Sequence, residues 1–361
     1  TIHFPDGFEI AVGRPAEAYK SELKERFPDN AEEIEAYFEA LVSGEEAIRL
    51  VSAERSMPGP LRSAHRWWNK KKIDRWCGRT TSEVIGEYIS DPKLAAVLSA
   101  QWGTYGGIPE LSSFGIHALI IRQYLEGAGY PVGGAGASAA GRVPVIVSAG
   151  SSARPETTVD EILFDNGRAI GVRTTSGQEF EAPAIVSAIG AGETVDRLLP
   201  REISEQEWAV EIAAMEPSIC HFEMFLGFEG DIAKLGATRS NHWFFESWDT
   251  NDGLWTNTEN PIQMMFVSFP SLKDDRHDPG PSRRHTGQFM VLADWSTVAE
   301  FITDGGIENP DKWAAFKDDV QVRMLAFFAN KFPALAPLVV CRVFGTPLAT
   351  AKFTAHEKGG F

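Results

Sequence analysis

Residues 159–190 read VDEILFDNGRAIGVRTTSGQEFEAPAIVSAIG. Three short runs with β-branched and aromatic residues are broken by Asp165-Asn166-Gly167 and by Ser176-Gly177, both strong turn signals. The spacing predicts strands over 159–164, 168–175 and 178–181, an antiparallel meander. The run 184–189, AIVSAI, is apolar and small, so it is expected to enter a neighbouring sheet as a buried strand ending at Gly190.

Upstream the texture differs. FPDGFEIAV over 4–12 reads as a hairpin turning at Asp6-Gly7. Pro15 opens a helix that stops before Pro28. A second helix begins at Asn30, whose spacing to Glu33 is that of a capping box, and Gly44 is expected to end it. Thr80 and Glu83 repeat the capping spacing, Asp91-Pro92 opens another helix, and a further helix covers 113–125. Residues 15–130 are thus mainly helical. A glycine-rich loop, Pro131-Val132-Gly133-Gly134-Ala135-Gly136, separates them from a small-residue helix, an apolar stretch over 143–147 and then the meander. Downstream, 219–228, 261–269 and 287–292 read as strands, and 311–331 reads as one amphipathic helix.

The 361 residues carry a formal net charge of −16, which argues against a nucleic-acid partner held by bulk electrostatics. Three widely spaced cysteines exclude a disulfide scaffold and a CxxC site and fit a reducing compartment, the cytoplasm. No apolar run approaches the roughly 18 residues of a membrane span, and the opening residues, which lack a signal-peptide pattern, read as a domain already under way.

Four features are candidates for chemistry. Gly134-x-Gly136-x-x-Ala139 matches the relaxed dinucleotide fingerprint, but a helix end and a turn precede it where the motif needs a strand. Asp274, Asp275, His277, Asp278 and His285 crowd one polar loop, with no helix to fix a ligand geometry, so no metal site is expected. His117 shares an apolar helical face with Phe114 and Ile121, the pattern of a core histidine or of one lining a cavity. His65-Arg66-Trp67-Trp68-Asn69-Lys70-Lys71-Lys72, with Arg75 and Trp76, reads either as a solvated loop or as a peripheral membrane contact, tryptophan at the interface and lysine toward anionic head groups.

In their order along the chain, several segments resemble the FAD-dependent oxidoreductase family of phytoene desaturase, carotenoid isomerase and retinol saturase. They are the helical stretch 80–134, Tyr130-Pro-Val-Gly-Gly, the meander, and Gly345-Thr346-Pro347-Leu348 followed by Phe353-Thr354 and Gly359-Gly360-Phe361. The resemblance implies a glutathione-reductase-like, amine-oxidase-like α+β / α/β fold. Its flavin domain would be incomplete, because the family's opening GxGxxG and closing flavin motif have no counterpart here, so FAD held by this chain alone is doubtful. Residues 1–130 and 201–361 would form an interrupted substrate domain and residues 131–200 the flavin-domain segment. It further implies cofactor contacts at Val159, Ser187, Ala188 and Gly190, and a substrate cavity near Phe114, His117 and Tyr130. The activity implied is hydride transfer at flavin N5 on a long apolar carotenoid or retinoid. The alternatives are a non-catalytic lipid- or prenyl-binding module and an inactive fragment of the same fold.

Overall fold

The computed structural model describes residues 1–13, 15–303 and 306–360; Phe361 lies outside them. Its centre is a seven-stranded sheet. The strands are β1 (Ile2–His3), β2 (Glu9–Ile10), β6 (Cys220–Glu229), β7 (His242–Phe245), β8 (Met264–Ser268), β9 (Arg284–Ala293) and β12 (Val339–Gly345). They lie in the order β12-β6-β9-β8-β7-β1-β2, with β1 parallel to β7 and every other neighbour antiparallel. The meander is a separate three-stranded sheet of β3 (Val159–Asp165), β4 (Arg168–Thr174) and β5 (Glu179–Glu181). Ile302–Thr303 and Gly306–Ile307, β10 and β11, form a two-stranded pair.

The period of two along the strands divides the large sheet's side chains between two cores. Trp243, Phe245, Met264 and Leu292 face one way and pack with the helices α2 (Ala31–Arg55), α4 (Thr81–Tyr88), α5 (Pro92–Ser99) and α6 (Phe114–Glu126). Phe244, Met265, Val267, Phe289 and Val291 face the other way and pack against Val320, Met324 and Phe328 of the long helix Pro310–Lys331. The remaining helices of the first half are α1 (Ala16–Arg26) and α3 (Gly59–Trp76), followed by α7 (Ala137–Ser148).

The meander forms where expected. Asn166 and Gly167, at φ 48° and 76°, make the two-residue turn with both central residues left-handed that suits a hairpin. Gly177, at φ 81°, serves the second turn. The capping box at Thr80 and Glu83 is present, and Asp91 caps α5 by accepting from the N–H groups of Lys93 and Leu94.

Five expectations need correction. The run 184–189 is not a strand: Val186 is 90% exposed, and among the described residues no strand lies beside it. A short apolar run suits a buried strand but cannot supply the partner strand. Gly44 does not end α2, which continues to Arg55, because the glycine is used for close packing inside the helix. Asn30 makes no cap; its amide donates instead to Glu33 at 2.8 Å, and Glu33 accepts from Ser90. Residues 65–76 are helix α3, not a loop. The apolar stretch 143–147 does not follow α7 but lies within it, since the helix runs through Pro144 to Ser148.

Candidate functional site

The end of the meander segment meets the end of the described chain. The Gly190 N–H donates to Ala355 O at 2.9 Å, and a Cβ on Gly190 would stand 3.3 Å from His356 Cα. A Cβ on Gly360 would fall 2.7 Å from Ser218 Oγ, so glycine lets this strap close against the entry to β6. Between them lies a cleft of about 210 Å³ bordered by Gly190, Gly192, Ile212, Met215, His356 and Glu357. Strand β12 delivers its other wall: Gly345 ends the strand, Thr346 caps the helix Pro347–Thr354, and that helix leads to His356.

Beside this cleft the sheet turns one face outward. On it Glu223 pairs across the ladders with Met290 and with Gly345, and Phe225 pairs with Val343. Phe225 and Val343 are 43% and 59% exposed, while Glu223 is largely covered. The Glu223 carboxylate accepts from the Gln288 amide and lies 3.9 Å from His221 Nε2. An ion pair would lower the pKa of Glu223 and raise that of His221. Burial does the reverse to both, pushing the carboxyl up and the imidazole down, with the Gln288 hydrogen bond pulling the carboxyl partly back. Desolvation wins, and the pair leans toward its neutral forms. Sequence reading missed Glu223 although a signal existed: His221 and Glu223 are polar at i and i+2 in an aromatic strand, hence on one face.

The residues singled out from the sequence fall in several places. Val159 opens β3 and pairs with Thr174. Ser187 Oγ lies 2.7 Å from Thr194 Oγ1, and Thr194 also donates to Gly190 O. Ala188 sits in the non-ladder run between them. His117 is fully buried, with Nε2 2.8 Å from the Tyr37 hydroxyl and Nδ1 3.0 Å from that of Tyr105. Burial pushes its pKa down to about 3, so it is a neutral core histidine with both ring nitrogens occupied. Phe114, also fully buried, packs beside it at a centroid distance of 5.7 Å. Tyr130 instead lines an open cleft of about 590 Å³ with Tyr124, Gln101, Trp243 and Lys273. Burial lowers the Lys273 pKa to about 8, and its ammonium donates to Ser268 at 2.6 Å and to Asn241.

A flavin dinucleotide can be tested against these residues. The run 184–189 offers backbone groups outside any ladder, and small side chains at Ser187 and Ala188 leave them accessible. That fits one edge of such a cofactor. The loop at Gly133 does not fit the pyrophosphate, because the Gly133 N–H already donates to Asp274 Oδ1 at 2.8 Å. A carboxylate occupies the position an anion would need. Among the described residues no group of three His, Cys, Asp or Glu side chains is placed to hold a metal ion, and no helix is long and apolar enough to cross a membrane.

No protein-family model matches the chain. Among solved structures, a putrescine oxidase redesigned in its cofactor binding superposes with a TM-score of 0.56 at 9% identity, covering 98% of this chain and 68% of that one. An oxidoreductase from Methanosarcina mazei gives 0.51 at 15% identity, covering 81% and 62%. The fold is thus the amine-oxidase-like one expected from the sequence. In sequence the chain is similar to a retinol reductase and a prolycopene isomerase. All-trans-retinol 13,14-reductase of Danio rerio is 25% identical over 374 residues, which is 98% of this chain and 60% of the relative. Chloroplastic prolycopene isomerase of Arabidopsis thaliana is 25% identical over 376 residues, 100% of this chain and 59% of the relative. The chain therefore spans about three fifths of the length of the curated relatives it matches.

Proposed function

We propose that the gene product carrying these residues is an FAD-dependent oxidoreductase acting on a long, apolar, polyene-like substrate of carotenoid or retinoid type. The observation that carries this reading is similarity across 98% and 100% of the chain to a retinol reductase and a prolycopene isomerase. Flavin, when bound, supplies the hydride donor or acceptor at N5. The backbone of Val159, Ser187, Ala188 and Gly190 would hold one edge of that cofactor. The outward sheet face of Phe225, Val343 and Met290 would lay an apolar chain flat and keep water from it. On that face Glu223 is held toward its protonated form, able to keep a proton at its carboxyl next to the substrate. The cleft at Tyr130 is the proposed route of entry.

The test is product analysis by chromatography after incubation of the natural gene product with a retinoid and with a carotenoid, with and without FAD. FAD-dependent saturation, desaturation or isomerisation is expected. No conversion of either class in either flavin redox state would overturn the reading.

A further inference from the structure

Helix α3 has an outer surface that the rest of the molecule does not use. Trp67 and Trp68 are 76% and 81% exposed, and Leu61 is 62% exposed. Leu61, Ala64, Trp67 and Trp68 are all exposed, while His65, Asn69, Lys72, Ile73 and Trp76 are partly covered. The two indoles meet edge-on at a centroid distance of 6.2 Å. The helix also carries Arg62, Arg66, Lys70, Lys71, Lys72 and Arg75 against a single acid, Asp74, in a chain of net charge −16.

We propose that α3 is the surface by which this protein docks on an anionic lipid bilayer. Indole is amphipathic and favours the head-group layer, where its apolar body is buried and its N–H stays wet. The arginines and lysines that flank the indoles reach the same depth, where lipid phosphates lie. The acidic remainder of the molecule is repelled by such a surface, so the field orients the protein with α3 inward. Lys72 pairs with Glu46, Arg75 with Glu87, Arg66 with Glu54 and Lys70 with Asp74. Except for Arg66, whose partner Glu54 is buried, these are solvent-facing pairs worth little, and they exchange readily for phosphate. Among the described residues no carboxylate pairs with Lys71 or Arg62. A two-fold contact between copies through α3 would set one positive helix against another, so charge complementarity favours the anionic bilayer over that contact. The inference deepens the proposed function, because a long polyene dissolves in the bilayer and not in water; the surface itself is argued from α3 alone.

The experiment is flotation of the protein with vesicles of phosphatidylcholine alone or mixed with phosphatidylserine, carrying no polyene, so that loss of enzymatic activity and loss of docking are read separately. Binding to the anionic vesicles is expected, with a blue shift of tryptophan emission and weakening by added salt. The double variant Trp67→Ser, Trp68→Ser should lower the partition coefficient about tenfold or more, and the triple variant Lys70→Gln, Lys71→Gln, Lys72→Gln about fivefold or more. Trp67, Trp68, Lys70 and Lys71 are exposed and Lys72 makes only a surface pair with Glu46, so circular dichroism should stay unchanged and the melting temperature should shift little in both variants. Absence of binding by the wild-type protein would overturn the proposal. So would equal binding by both variants, or a wild-type dimer that the tryptophan variant dissolves.

Discussion

A Cβ placed on Gly44 would stand 2.8 Å from the Cβ of Ala118 and 3.0 Å from the ring of Phe114. Helices α2 and α6 therefore cross at a point where one backbone carries no side chain, and Gly44 sits in mid-helix for that reason. Two effects compete in Gly44→Ala. Helix propensity would gain about 1 kcal/mol. Overpacking a close contact costs about 1–3 kcal/mol. We expect a net loss of stability for Gly44→Ala and a larger one, about 3 kcal/mol, for Gly44→Val, read from urea unfolding curves. A more stable alanine variant would show that α6 can move aside.

The same residue marks what was legible in the sequence. Local rules located the meander, the hairpin at Asp6-Gly7, the cap at Thr80 and the helix ending in the Pro310–Lys331 stretch, because turn residues, caps and periodicity act within a few residues. Gly44 and the run at Val186 were misread because their meaning is set by elements far away in the chain: α6 approaches one, and no strand adjoins the other. Glu223 was overlooked for a related cause. Its neighbours Met290 and Gly345 come from β9 and β12, and only their pairing turns it into a covered carboxyl on an exposed face.

His117 makes stability pH-dependent. Its pKa is 6.5 in an ordinary setting and about 3 in the fold, because burial disfavours the charged ring. Below pH 6.5 the unfolded chain takes up a proton that the folded one refuses. The contribution is thus complete above the ordinary value and is lost by about 1.4 kcal/mol per pH unit as pH falls toward the folded value. The hydroxyls of Tyr37 and Tyr105, raised by burial, stay protonated throughout. His242, pushed down to about 3 chiefly by burial, adds a loss of the same sign. Unfolding free energies measured across this range should fall less steeply for His117→Gln than for the wild type; parallel curves would contradict the assignment.

Glu223 acts in the opposite direction. Burial raises its pKa, so the folded state prefers the protonated acid and loses stability as pH rises through the folded value. Glu223→Gln should melt at a higher temperature than the wild type at neutral pH, and the gain should vanish in acid below the ordinary carboxyl pKa. A difference independent of pH would mean that shape, not charge, separates the two side chains.

The 361 residues alone should not retain FAD through gel filtration. The Gly133 loop holds Asp274 instead of a phosphate, and the run 184–189 offers only backbone hydrogen bonds to one edge. At about 0.5–1.5 kcal/mol each, a few such bonds fall far short of the roughly 12 kcal/mol of a nanomolar complex. A stoichiometric visible flavin band surviving the column would show that another segment cradles the pyrophosphate.

The most direct measurement mixes the natural gene product, carrying fully reduced FAD, with a retinoid or carotenoid under anaerobic conditions, while flavin absorbance and polyene composition are followed together. The account predicts one of two outcomes: the oxidised-flavin band returns as one polyene double bond per flavin is lost, or the polyene changes geometry with the flavin unchanged in redox state. A polyene that stays chemically and geometrically unaltered beside both reduced and oxidised flavin would contradict it.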